Sequence, residues 1–132
     1  MNVTSQVSSS TAIAWGGKLR NIINGVTDDS QTLMDYVTTE KPQWIQLDFA
    51  GPRKIQQAVI YNANDAAAKP TLVDYQLQVK KDGRWVTVAD RKNNGAVVIK
   101  EKFDPVETGA IRLFITKQVA VDRFAVNEFE VY

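Results

Sequence analysis

Histidine and cysteine are both absent from this chain of 132 residues. Without histidine, a Ser-His-Asp triad, a Cys-His pair and a zinc site built on imidazole are excluded. Without cysteine, disulfides, thiolate catalysis and iron–sulfur clusters are excluded as well. Because most common catalytic groups are missing, a binding protein is the expected functional class.

The chain also lacks an excess of charge of either sign, since 16 Lys and Arg and 15 Asp and Glu leave a net charge of +1. This balance produces no strong field for nucleic acid, and no basic run points to an anionic membrane. No apolar run approaches the roughly 20 residues of a membrane-spanning helix, and residues 1–5 lack the features of a signal peptide. We therefore expect neither a nucleic-acid partner nor a membrane span.

What the chain does contain is a core-forming alternation of apolar and polar residues, with 44% apolar residues in total. In 73–79, for example, Val73, Tyr75, Leu77 and Val79 share one strand face, and Asp82-Gly83 then predicts a hairpin turn. Helical periodicity is almost absent, apart from a short candidate at 18–23. The length and pattern predict one all-β domain over residues 1–132, a sandwich or barrel excised from a larger protein. Besides 73–79, the predicted strands are 44–49 (closed by Gly51-Pro52), 55–62, 84–88, 96–103, 110–117 and 126–132.

Carboxylates are the main acid–base groups left for catalysis. A glycosidase needs two of them facing each other across a cleft, about 5–10 Å apart. Asp28 and Asp29 are neighbours in a predicted loop, whereas Glu128 and Glu130 share one face of the last strand. This arrangement does not favour an enzyme.

Oxygen donors are densest in 24–30 (NGVTDDS), a glycine-containing segment that could wrap around a calcium ion. The same composition also fits a polar surface turn. Among the aromatic residues, Trp44 and Trp85 occupy strand positions, which favours packing in the core. Trp15, Tyr36 and Phe124 are placed in predicted loops, where a ring can either stack on the apolar face of a sugar or plug the end of the barrel.

Seven segments, in order over nearly the whole chain, carry a resemblance to a known family. They are 21–25 (NIING), 42–49 (PQWIQLDF), 59–62 (VIYN), 74–79 (DYQLQV), 82–86 (DGRWV), 111–115 (IRLFI) and 127–132 (NEFEVY). Together they resemble the discoidin family, the coagulation factor V/VIII type C domains, and especially its bacterial branch, the family 32 carbohydrate-binding modules. The resemblance implies an eight-stranded antiparallel jelly-roll β-sandwich with the galactose-binding-like fold.

The resemblance also implies a structural calcium ion between the loop after the short helical turn and the final strand. This sequence has Asn24 where the family usually has Asp, and Asp29 where it usually has Thr, so the number of carboxylates is preserved. By resemblance the ligands are the side chain of Asn24, the backbone carbonyls of Asn21, Val26 and Asn127, both kinds of oxygen from Asp29, and the carboxylate of Glu128.

For the sugar site, galactose-binding relatives often use a His and an Arg from neighbouring loops. This chain has no His, and its loop 62–71 (NANDAAAKPT) has no Arg, which does not favour a galactose preference. A shallow polar site with one stacking ring remains the expectation. The candidate residues are Trp15, Tyr36, Asn62, Asn64, Asp65, Lys69, Arg123 and Phe124.

The function implied is a non-catalytic module that targets an attached enzyme or surface protein to a glycan. Such a module is expected to be a monomer outside the cell, on the cell surface or in the periplasm. Two alternatives remain open at this stage. One is an adhesion module for protein or phospholipid, although the loops lack apolar spikes; the other is a ligand-free spacer, which Ala66-Ala67-Ala68 in the presumed binding loop permits.

Overall fold

The computed structural model describes residues 4–9, 33–36, 43–62, 72–118 and 123–132. Every regular element within these ranges is a β-strand, and every strand pairing is antiparallel. The helix candidate at 18–23 lies outside them. No helix of the described ranges is long and apolar enough to cross a membrane. The strands are β1 (Thr4–Ser9), β2 (Leu33–Tyr36), β3 (Gln43–Asn62), β4 (Leu72–Lys81), β5 (Arg84–Arg91), β6 (Val98–Gln118) and β7 (Arg123–Val131).

Two long strands connect the layers of the fold. The strand order is β2-β7-β3-β6-β4-β5, with β1 added to β3. β3 and β6 pair along most of their length, but their register shifts between Asp48 and Arg53, where an irregularity bends the pair. Layer A contains β1, the first part of β3, the last part of β6, β4 and β5. Layer B contains β2, β7, the second part of β3 and the first part of β6.

The hydrophobic core lies between these two layers. Layer A contributes Leu47, Leu77 and Leu113, and layer B contributes Ile60 and Phe129, all of them fully buried. Burying apolar side chains on the inner faces of two sheets is the main stabilising contribution in a sandwich. The predicted all-β antiparallel fold is therefore confirmed for the described residues.

The turn between β4 and β5 is as predicted. Asp82 has a φ of 52° and Gly83 a φ of 76°, so both central residues adopt the left-handed region. Two such residues match a type I′ turn, whose twist suits a two-residue hairpin. The register Lys81↔Arg84 closes the hairpin directly beside the turn.

The predicted strand ends at Gly51-Pro52 and between 103 and 110 are wrong. β3 continues through Gly51 and Pro52, and β6 is one strand of 21 residues instead of two. Bulges and bends redirect both strands from one layer to the other without reversing the chain. Gly51 and Pro52 therefore mark a bend in a strand and not a turn, unlike Gly83 in the β4–β5 hairpin.

Several chain connections meet at one end of the sandwich, which we call the Asn62 end. β3 finishes there at Asn62, β4 starts at Leu72, and β5 finishes at Arg91. The pairing Leu72↔Gln118 places the end of β6 at the same edge. This end carries the candidate site, whereas the Asp82-Gly83 turn lies at the opposite end.

Candidate functional site

The segment 92–97 between β5 and β6 is held firmly to the start of β4. The Asn94 amide donates hydrogen bonds to the carbonyls of Leu72 (2.9 Å) and Ala96 (3.0 Å). Its side-chain oxygen accepts from the Ala96 N–H at 3.2 Å, and its backbone N–H donates to the Val73 carbonyl at 2.9 Å. One asparagine thus fixes a turn that has no regular secondary structure.

Asn93 lies at the exposed tip of this segment in a left-handed conformation, with a φ of 54°. Asparagine tolerates this region better than most residues because its short side chain bonds locally. Its backbone N–H donates to the Asp74 carboxylate at 2.9 Å. The side chain is therefore presented to solvent on a backbone that is held in place.

Asn62 joins the same segment from the other side. Its amide donates to the Val97 carbonyl at 3.0 Å and to the Ala96 carbonyl at 3.4 Å, and its backbone N–H donates to Val97 O at 2.9 Å. The residue is only 3% exposed. The amide donors of Asn62 thus serve the backbone, and its predicted contact with a sugar stays a prediction.

An ion pair between the exposed Arg91 and the buried Glu101 forms the base of the site. The Arg91 guanidinium donates to both carboxylate oxygens of Glu101, Nε to Oε1 at 2.9 Å and Nη2 to Oε2 at 3.1 Å. The Tyr75 hydroxyl donates to the same Oε1 at 2.8 Å. Glu101 belongs to layer B, while Tyr75 and Arg91 belong to layer A, so the triad joins the two layers.

The two partners of Glu101 have shifted acidities. Burial, followed by the hydrogen bond to Glu101, raises the pKa of Tyr75 well above its ordinary value of 10.0. The hydrogen bond to Glu101 and the attraction of its charge raise the pKa of Arg91. Tyr75 therefore stays a neutral donor and Arg91 a cation at any physiological pH.

A cavity of about 310 Å³ opens above this triad. Among the described lining residues, Glu101 is the single carboxylate, and Arg91 neutralises it. Lys92 and Lys100 add exposed ammonium groups, although Lys92 lies 3.9 Å from the Asp90 carboxylate. The described part of the site thus offers many hydrogen-bond donors and shows no pair of opposed carboxylates of the kind that a glycosidase uses. Its lining is Arg91, Lys92, Asn93, Asn94, Gly95, Ala96, Ile99, Lys100 and Glu101.

The cavity residues were missed by the sequence reasoning. A usable signal was the polar run 90–95 (DRKNNG) directly after an alternating strand, which is typical of an exposed loop that carries function. The pairing of Arg91 with Glu101 leaves no such signal, because ten residues and a change of layer separate the two.

The predicted loop 62–71 starts and ends beside this cavity, because Asn62 and Leu72 both contact the segment 92–97. Of its predicted sugar ligands, Asn64, Asp65 and Lys69 lie outside the described residues. Trp15 lies outside them as well. These four assignments stay predictions.

Tyr36, Arg123 and Phe124 are not in loops, which corrects the predicted positions. Tyr36 ends β2, and Arg123 and Phe124 begin β7. The register pairs Tyr36 with Arg123 and Asp35 with Phe124, so the backbone brings three predicted residues together at one strand end. Their contact with a ligand stays a prediction.

Two of the predicted calcium ligands lie in the described part of the chain. Asn127 and Glu128 are on β7, and they are 2% and 1% exposed. Asn21, Asn24, Val26 and Asp29 lie outside the described residues. Within the described part, no group of three or more acidic side chains is close enough to hold a metal ion. The buried carboxylate of Glu128 fits the donor chemistry of calcium, whose preferred ligands are oxygens.

The two tryptophans that were predicted to pack in the core are instead half-buried on the outer face of layer A. Trp44 and Trp85 are both partly exposed and do not belong to the core cluster. The Trp85 ring instead packs on the guanidinium of Arg112, with 4.2 Å between the guanidinium carbon and the ring centroid. The alternating pattern correctly predicted the strands that carry Trp44 and Trp85. It assigned both side chains to the inner face, but the outer face of layer A also carries aromatic rings.

Comparison with known proteins identifies the family. The chain matches the F5/8 type C domain family over residues 4–128. It belongs to this family. No curated protein sequence matches the chain. Among solved structures, the fold of this F5/8 type C domain is similar to that of carbohydrate-binding modules, with TM-scores of 0.77 to 0.82.

Three of these structures illustrate the similarity. One is chitosan-binding module 2 of a chitosanase/glucanase from Paenibacillus sp. IK-5, solved with chitotriose (18% identity, TM-score 0.82, 98% of this chain and 97% of that one). Another is a family 32 module from Clostridium perfringens with GalNAc-β-1,3-galactose (17%, 0.78, 96% and 94%). A third is the family 32 module of Streptococcus pneumoniae EndoD (17%, 0.77, 100% and 99%). At these identities the similarity establishes the fold, the β-sandwich of the discoidin type.

Proposed function

We propose that this F5/8 type C domain is a non-catalytic carbohydrate-binding module that directs an attached enzyme or surface protein to a glycan. The observation that carries the proposal is the preformed polar cavity at the Asn62 end of the sandwich. Similar modules bind chitotriose and GalNAc-β-1,3-galactose, which supports a glycan as the ligand. Attachment to a secreted enzyme would place the domain outside the cell, as a monomer.

In the cavity, each kind of side chain has a separate task. The bidentate Arg91–Glu101 pair fixes the base, so its remaining donors and acceptors face a ligand without reorganisation. Asn93 and Lys100 are exposed at the rim, where an amide and an ammonium group bind sugar hydroxyls. The candidates for a ring that would cover the C–H face of the sugar are Phe124 and Trp15.

A shallow polar site of this kind binds weakly. Because it contacts only one or two sugar residues, we expect a micromolar to millimolar dissociation constant. Such a constant corresponds to a binding free energy of only about 4–8 kcal/mol. Repetition of modules or of glycan epitopes then provides the avidity. The effect on the attached protein is a raised local concentration on its substrate surface.

The test is a glycan array with the isolated domain, followed by calorimetric titration of the strongest glycan. Asn93→Ala and Lys100→Ala should each weaken binding several-fold, because each removes a hydrogen-bonding group from the rim. Lys81→Ala, at the opposite end of the sandwich, is the matched control and should bind as the native domain does. Phe124→Ala tests the stacking ring in the same titration. If no glycan binds, the proposal is wrong and the spacer or adhesion function remains.

A structural calcium ion is the second part of the proposal. Asn127 supplies a carbonyl and Glu128 a carboxylate from β7, and Asn21, Asn24, Val26 and Asp29 complete the ligand set. The burial of Glu128, at 1% exposure, supports it, because a bound cation offsets the cost of burying a carboxylate. Bound there, the ion stabilises the fold and takes part in no reaction.

A further inference from the structure

A stacked arginine occupies the outer face of layer A. The guanidinium carbon of Arg112 lies 4.2 Å from the centroid of the Trp85 ring and 5.0 Å from that of Phe114. Its Nε–H donates to Gln78 Oε1 at 2.6 Å. The ammonium group of Lys80 lies 5.6 Å from the centroid of the same Trp85 ring. Two rings and one hydrogen bond therefore fix the plane of the guanidinium on the sheet.

Neighbouring polar side chains order the acceptor of that hydrogen bond. The Gln78 amide donates to Gln76 Oε1 at 2.8 Å, and the Thr87 hydroxyl donates to the same oxygen at 3.3 Å. The Gln76 amide in turn donates to the Asp90 carboxylate at 3.4 Å. With its amide nitrogen engaged, Gln78 presents its oxygen to Arg112. Because these side chains are already ordered in the free domain, binding a ligand loses little of their conformational entropy.

The charge of Arg112 is not neutralised by the described residues. No carboxylate among them forms an ion pair with Arg112, and no acceptor reaches either of its Nη groups. Arg112, Trp85 and Phe114 are all partly exposed. This partial burial removes some of the water around the cation and lowers the pKa of Arg112. The guanidinium is thus held in place, and its Nη groups have no acceptor among the described residues.

We infer that this face binds the carboxylate of an acidic sugar, in a site separate from the cavity. A planar guanidinium fork matches a carboxylate with two parallel hydrogen bonds, which a single ammonium group cannot provide. The partly exposed rings of Trp85 and Phe114 offer apolar surface to the sugar ring, and Lys80 adds a second cation. The occupant is a uronic-acid polysaccharide lying across β6, β4 and β5.

The chemistry of the face favours a polysaccharide over an acidic protein. Stable protein interfaces have an apolar centre. The centre of this face is instead a guanidinium, packed on two rings and bordered by the amide and hydroxyl side chains of Gln76, Gln78 and Thr87. Val86 follows Trp85 and therefore lies on the other side of β5. None of the exposed large apolar residues of the described chain is placed beside Arg112: these are Val86, Val97, Val98 and Tyr132.

The test is calorimetric titration with polygalacturonate, and with its fully methyl-esterified form as the uncharged control. The native domain should bind the free acid and not the ester. Arg112→Gln should weaken binding about tenfold, the usual loss for a hydrogen bond to a charged group. Arg112→Lys keeps the charge but not the fork, and should weaken binding as well. Arg53→Gln makes the same change in charge at an exposed arginine of β3 and should bind as the native domain does.

The proposed site is wrong if polygalacturonate does not bind, or if its methyl ester binds equally well. It is also wrong if Arg112→Gln keeps full affinity. Equal binding of polyglutamate would indicate a peptide ligand instead. Because Arg112 packs on Trp85, its substitution can also affect stability, so the melting temperature of each variant is measured beside the titrations. If Arg112→Gln is unstable, the affinity of Arg112→Lys is the test instead. Lys100→Ala distinguishes the two sites, because Lys100 lines the cavity and not the outer face of layer A. This variant should bind polygalacturonate with native affinity. A lower affinity would show that polygalacturonate binds in the cavity.

Discussion

At the scale of single residues, the site depends on one buried carboxylate. Glu101 is 7% exposed and accepts hydrogen bonds from Tyr75 and Arg91. A buried charge costs free energy unless it is paired and hydrogen-bonded, and here both conditions are met. The triad therefore fixes the base of the cavity and also links the two layers.

The raised pKa of Tyr75 predicts a loss of stability at alkaline pH. A group whose pKa is higher in the folded state contributes its full stabilisation below its unfolded pKa and loses it as the pH rises towards the folded value. Since the ordinary value is 10.0, the free energy of unfolding should fall as the pH rises above about 10. Urea denaturation at a series of pH values measures this decrease.

Tyr75→Phe should reduce that alkaline decrease, because phenylalanine has no proton to lose. The variant should also be less stable at neutral pH by about 1 kcal/mol, the usual loss for one hydrogen bond. An equally steep decrease in Tyr75→Phe and in the native domain would contradict this account of the triad.

Single residues were predictable from sequence when local pattern decided their environment. Tyr75 was assigned to the same face as Leu77 and Val79, and all three are buried. The hydrogen bond from Asn62 to the Val97 carbonyl was not predicted, because the two residues are 35 positions apart in the sequence. A contact of that range leaves no local pattern in one sequence.

At the scale of elements, the β4–β5 hairpin depends on the conformation of its turn. Gly83 has a φ of 76°, and a Cβ placed there would meet no atom within 4 Å. The cost of a side chain at this position is therefore conformational and not steric. Gly83→Ala should lower the free energy of unfolding by about 1 kcal/mol or slightly more.

Gly51→Ala is a suitable control for the hairpin. Gly51 is also in open space, but its φ lies outside the left-handed region, so the substitution should be neutral or slightly stabilising. Chemical denaturation of both variants gives the comparison. Equal destabilisation of the two would show that the turn conformation contributes nothing.

Elements were predicted well wherever alternation was long and local turns were marked. The β4–β5 hairpin is the best example. β2 was not predicted, because a four-residue strand is stabilised by its pairing with β7 and not by its own composition. The continuity of β3 through Gly51-Pro52 was missed for a similar reason, since the pairing with β6 decides it.

At the scale of the whole molecule, the proposed calcium ion links the two ends of the sequence. A ligand that binds only the native state stabilises it by RT ln(1 + [L]/Kd), about 2.7 kcal/mol at a hundredfold excess over Kd. Removal of calcium with a chelator should therefore lower the melting temperature. Glu128→Gln should abolish this sensitivity, whereas Glu130→Gln, two residues along β7, should retain it.

Metal analysis of the purified domain accompanies the melting experiment, because a tightly held ion can resist the chelator. A domain that contains no metal, and that melts at the same temperature with and without calcium, would contradict the ligand assignment. The fold itself does not depend on this result.

The central claim is that the cavity beside Arg91 is where a glycan binds. The most direct measurement is an NMR titration of the isotope-labelled domain with the strongest neutral glycan from the array. The backbone amides of 91–97 and of Lys100 and Glu101 should shift in proportion to occupancy, while those near Asp82-Gly83 should not move. Shifts confined to the Asp82-Gly83 end, with none in 91–101, would contradict the claim.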